Sequence, residues 1–111
     1  MQKWLKYEFS SGPIIGDDFK LFAKDFKETI KNKIPKDAKI IKYNVNHYFI
    51  SGFIKRNGKY AYFSTADVRH FTDEWYNNIL IRTAKDLEDY TGGSNNFTSL
   101  DNFGEIINFV L

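Results

Sequence analysis

Lys55, Arg56 and Lys59 flank an Asn57-Gly58 pair, and Tyr60 and Tyr62 follow at alternate positions. Cations beside aromatic rings can grip phosphates and stack on bases, or dock on an acidic protein surface. The same residues also meet a plainer requirement: a tight turn is solvated, its charges keep the edge soluble, and its tyrosines pack on a sheet. Lys39 and Lys42 extend the basic patch if they lie on a neighbouring strand.

A second candidate runs from Arg82, Lys85 and Asp86 through Asp89 into Thr91-Gly92-Gly93-Ser94-Asn95-Asn96. A strand that releases Arg and Lys into a Gly-Gly loop can turn backbone amides toward an anion. Neither GxxxxGK[ST] nor GxGxxG is present, and Gly-Gly with Asn-Asn is also ordinary turn composition. In that simpler reading Arg82 pairs with Asp86 or Asp89 and fixes the loop.

Catalytic chemistry has thinner support. His70 lies near Asp67, Arg69, Asp73 and Glu74, and a histidine with carboxylates can supply an acid and a base, or metal ligands. His47 is the other histidine, and no HExxH spacing joins the two. Ser51, Ser64, Thr65 and Thr83 offer hydroxyls, but no GxSxG elbow surrounds them. There is no cysteine, which excludes a thiol nucleophile, a disulfide and a thiolate zinc site. Asp86, Glu88, Asp89, Asp101 and Glu105 could imitate phosphates toward a basic cleft. For Asp101, the favourable field at the start of a helix is explanation enough. The expectation is a non-enzymatic protein with no cofactor.

The elements that must position these residues can be read from periodicity. Phe19, Phe22, Ala23, Phe26 and Ile30 recur at three- and four-residue spacing, which predicts a helix over 18–33. Asp17 or Asp18 caps its start, Pro35 follows its end, and Lys20, Lys24, Lys27 and Lys31 lie on outer faces. Strands are expected over 2–9, 38–45, 47–56 and 78–84, with the segment after Gly58 as the partner arm of a hairpin. Asn-Gly is the strongest hairpin signal in the chain. Residues 11–16 read as a turn and 66–77 as a loop or short helical turn. After a polar connection, Thr98 or Ser99 caps a last helix with Leu100, Phe103, Ile107 and Val110 on its apolar face. The predicted fold is α+β: an antiparallel sheet of four to five strands, a helix in the N-terminal half and a C-terminal helix.

Size and charge bound the rest. The 111 residues suit one domain, and an apolar content of 42% with 18% aromatics can fill a core and still furnish a binding surface. No apolar run approaches the roughly 20 residues of a membrane helix. MQKWLKYEFS lacks the apolar stretch of a signal peptide, so a cytoplasmic location without membrane contact is expected. Residues 20–59 carry eleven Lys/Arg against three Asp/Glu, whereas residues 60–111 carry three against eight. Such polarity suggests a charged partner surface.

YFISGFIKRNGKYAYFSTADVR (48–69) and WYNNILIRTAKDLEDYTGGSNNF (75–97) resemble small proteins of Firmicutes phages and mobile elements. The likeness rests on the NGK hairpin with its aromatic strand ending in DVR, and on the RTAK…DYTGG…N run. It implies a protein that acts stoichiometrically on a host enzyme or defence complex, as anti-CRISPR proteins do. The expected partner is a host protein or ribonucleoprotein complex in a bacterial cytoplasm, with inhibition of a CRISPR-type defence nuclease as the outcome. Direct nucleic-acid binding through the basic hairpin is the alternative. Because Tyr, Trp and Arg predominate among interface anchors, Arg56, Tyr60, Tyr62, Trp75, Tyr76 and Arg82 are the expected ones. Lys55, Lys59, Lys85, Asp86 and Asp89 are expected beside them.

Overall fold

A computed structural model describes residues 17–65, 79–89 and 93–111. The expected strand over 2–9, the turn at 11–16 and the loop at 66–77 lie outside the described residues. So do Trp75, Tyr76, His70 and the charged residues around His70.

Helix α1 spans Asp17–Lys33 and buries the whole predicted stripe, with Phe19, Phe22, Phe26 and Ile30 at 0% exposure. Ile34 adds one more turn-closing bond by donating its N–H to the Ile30 carbonyl. Pro35 follows, and its ring disfavours helical geometry for the residue before it. The chain then enters a five-stranded antiparallel meander of β1 (Ala38–Val45), β2 (Ile50–Arg56), β3 (Lys59–Thr65), β4 (Ile79–Ala84) and β5 (Asn96–Thr98). Helix α2 (Phe103–Val110) ends the fold. The chain is thus α+β, as its sequence predicts.

Both helices contribute to one core with the same face of the sheet. Phe19, Phe22, Phe26 and Ile30 of α1 and Phe103 and Ile107 of α2 pack with Ile50, Ile54, Ala61, Phe63, Ile79 and Ile81. Burial alternates along β3 and β4, as a sheet covered on that side requires. Tyr43 fastens the layers together by donating its hydroxyl to the Ala23 carbonyl of α1 at 2.6 Å. Asn57 and Gly58 take φ values of +52° and +77°, the left-handed pair that a two-residue hairpin needs.

The boundaries differ from expectation in three places. Residues 47–49 were expected to open a strand but form a turn, closed by the Asn46 N–H donating to the Phe49 carbonyl at 2.9 Å. Tyr48 adopts φ +62° there and is fully buried, its ring 5.0 Å from that of Phe19. Burying an aromatic ring outweighs a backbone cost of about 1–3 kcal/mol. The polar connection also holds an unexpected strand: Thr98, in β5 opposite Ile79, is buried in the sheet and caps nothing. The last helix consequently starts at Phe103, and Ser99 accepts the Asn102 N–H one turn earlier.

Candidate functional site

The face of the sheet away from the helices collects the chemistry. Counting outward from the Asn57-Gly58 turn puts Lys55 opposite Tyr60 and Phe53 opposite Tyr62. A bulge at Ile41 restores the alternation so that Lys39 faces Lys55 and Lys42 faces Phe53. On the other side Tyr60 faces Ala84, and Tyr62 faces Arg82. Two rows therefore cross the strands: Lys39, Lys55, Tyr60, Ala84, and Lys42, Phe53, Tyr62, Arg82.

The second row is a continuous stack of cations on rings. The Lys42 ammonium lies 5.8 Å from the Phe53 ring centre, Phe53 and Tyr62 are 5.3 Å apart, and the Arg82 guanidinium lies 4.6 Å from Tyr62. In the first row Lys55 lies 5.6 Å from the Tyr60 ring. Cations over ring faces are attracted by the ring quadrupole, and their long side chains lose freedom by resting there. Phe53 is fully buried in this arrangement, while Lys39 and Lys55 are exposed and Lys42, Tyr60, Tyr62 and Arg82 half-buried. Arg82 also holds a buried Nε–H with no acceptor among the described residues.

The electrostatics of this face are one-sided. A third row, Asn44, Ser51, Ser64, Leu80 and Phe97, is neutral, so among the described residues the face carries no Asp or Glu. Lys39 and Lys55 stand directly opposite each other, an arrangement that destabilises a sheet unless something offsets it.

Other predicted residues fall elsewhere. Arg56 turns to the helix side, where its Nε lies 2.9 Å from an Asp37 carboxylate oxygen and its Nη1 donates to Asn108 Oδ1 at 2.8 Å. The carboxylate lies off the Nε–H direction, so that contact is an ion pair rather than an aligned hydrogen bond. Lys59 faces Arg56 across the turn and is exposed. Lys85, Asp86 and Asp89 form a tight turn after β4: Asp89 accepts the Lys85 N–H at 2.9 Å, and Asp86 accepts the Glu88 N–H at 2.8 Å. The simple pairing of Arg82 with Asp86 or Asp89 is replaced by the stack on Tyr62. Gly93, with φ +72°, sits so close to β4 that a Cβ there would meet Thr83 Oγ1 at 2.5 Å. The glycine thus packs the loop on its strand, which supplies a structural reason for it.

Hydroxyls proposed as nucleophiles are also held structurally. Ser51 Oγ accepts from Asn46 Nδ2, Thr65 Oγ1 accepts the Ile50 N–H, and Ser64 Oγ donates to the Thr65 carbonyl. No group of three metal-ligating side chains occurs among the described residues, nor is any described helix long and apolar enough to cross a membrane.

Phe53 is the site residue that the sequence reading does not single out, whereas Lys42 is foreseen as an extension of the basic patch but without its ring partner. The hairpin register, which Asn57-Gly58 sets, was enough to place Phe53 beside Tyr62. The bulge that aligns Lys42 with Phe53 has no comparable signal. Compared with protein-family models, curated proteins and solved structures, the chain matches none.

Proposed function

We propose that this chain is a non-catalytic binding protein that docks the outer face of its sheet onto an acidic surface of a host protein or ribonucleoprotein complex. The observation that carries this reading is the face on which, among the described residues, no Asp or Glu stands, Lys39 opposes Lys55, and Lys42, Lys55 and Arg82 rest on rings. Such cations are arranged before any partner arrives, so little freedom remains to be lost on binding. Tyr and Arg side chains at the centre of the face have the composition of interface anchors.

The rings are poorly placed for stacking bases, because Tyr60 and Tyr62 each have a cation over one face and Phe53 is buried. This favours docking by charge over the alternative of single-strand recognition by stacked bases. The likeness to phage and mobile-element proteins supports a host defence nuclease as the partner, with inhibition by occupancy.

The test is a pull-down from Firmicutes lysate, with and without nuclease treatment, using the wild-type chain and the Lys55→Glu and Arg82→Ala variants. Circular dichroism would confirm that each variant folds. The expected result is a nuclease-resistant protein partner captured by the wild type and lost in both variants. Each true anchor should contribute about 2 kcal/mol or more, roughly a thirtyfold loss of affinity. A partner released by nuclease, or one retained by both variants, would refute the placement.

A further inference from the structure

A second basic surface lies on α1, away from the outer sheet face. Lys20, Lys24, Lys27 and Lys31 fall within roughly 60° of one another on the helix and span about 16 Å along it. Neighbours four apart on a helix that carry the same charge repel by a few tenths of a kcal/mol per pair, and this stripe contains Lys20 with Lys24 and Lys27 with Lys31. Lys20, Lys24 and Lys31 are exposed and have no ion-pair partner among the described residues. Lys27 is anchored, its ammonium 5.2 Å from the Tyr43 ring. The stripe therefore occupies the flank of α1 beside β1, and the exposed Lys36 continues the positive charge beyond the helix end.

We infer that this flank binds the backbone of a DNA duplex without reading its sequence, a role beyond the docking proposed for the outer face. Phosphates recur every ~3.4 Å of duplex axis on each winding strand, so the four lysines of an about 16 Å stripe can each reach one of them. Lysine is a flexible point charge suited to such contacts. Asp25 and Glu28 lie roughly 130° and 70° round the helix from the stripe. Over B-form DNA they would hang above the wide major groove, whereas the narrow major groove of A-form RNA would bring the second phosphate strand against them. The stripe contains no aromatic residue for a splayed base, which disfavours a single strand.

The test is fluorescence anisotropy with labelled mixed-sequence DNA duplex, RNA duplex and single-stranded DNA across a salt series. The wild type should bind the DNA duplex best, with log K falling against log salt at a slope of roughly −3 to −4, as four contacts require. The triple variant Lys20→Glu, Lys24→Glu, Lys31→Glu changes exposed positions to another good helix former and leaves Lys27 on Tyr43. It should bind at least tenfold more weakly, with a flatter slope. Lys55→Glu should retain duplex binding, which separates this surface from the outer face. No duplex binding at low salt, an unaffected triple variant, or tighter binding of RNA duplex or single strand would overturn the inference.

Discussion

Tyr43 joins the helix layer to the sheet with one hydroxyl, and that hydroxyl must stay protonated to do so. It donates to the Ala23 carbonyl, and burial pushes the phenol above its ordinary ionisation range. In the unfolded chain the same group ionises near pH ~10. Because the folded value is the higher one, this contribution is complete below pH ~10 and is lost progressively as the pH rises above it. Tyr43→Phe removes the donor and the titration together. The variant should be less stable by about 1 kcal/mol at neutral pH and should lose less stability between neutral and alkaline pH than the wild type. Urea denaturation of both proteins at stepped pH measures this, and superimposable alkaline limbs would show that Tyr43 is not the group responsible. Arg56 is a related case. It bridges Asp37 and Asn108 within the fold, so impaired binding in an Arg56 variant would have to be separated from damage to that bridge.

The elements show what a sequence makes legible. The α1 stripe, the boundaries of β1 and the Asn57-Gly58 hairpin are all local signals, set by helical period, β-branched content and left-handed dihedral preference. Gly58 should therefore be intolerant: Gly58→Ala places a Cβ at φ +77° and should cost about 1–2 kcal/mol, read as a lower urea midpoint. No steric clash contributes, since nothing lies within 4 Å of a Cβ built there. A variant as stable as the wild type would mean that the turn can change its geometry at no cost. Misread elements depended on distant partners. Tyr48 looks like a strand residue until Phe19 offers its ring a buried site, and residues 96–98 read as loop until β4 supplies a ladder. The site divides the same way. Lys55, Tyr60 and Tyr62 follow from the hairpin, but the pairing of Lys42 with Phe53 depends on a bulge, and the inward turn of Arg56 on Asp37 and Asn108.

At the scale of the whole molecule the question is whether the basic and acidic segments neutralise each other in the fold. Residues 20–59 hold eleven cations against three acids, and residues 60–111 hold eight acids against three cations. The ion pair Arg56–Asp37 lies within the basic segment and does nothing to join the two. Lys39 against Lys55, and the lysine stripe of α1, place like charges side by side on exposed surfaces. Such repulsion is screened at moderate salt, since the Debye length falls to about 10 Å at 0.1 M. The urea midpoint should therefore rise as sodium chloride is added from very low ionic strength, with a total gain of about 1 kcal/mol from several small terms. Replacing Lys24 with Gln and Lys39 with Thr should stabilise the protein at low salt and remove most of that response. A stability that falls with salt would mean that attraction between the segments dominates, and the cations would then be explained by the fold itself. A rise would show that these charges are held at a cost to stability, which is the outcome that the two proposed basic surfaces require.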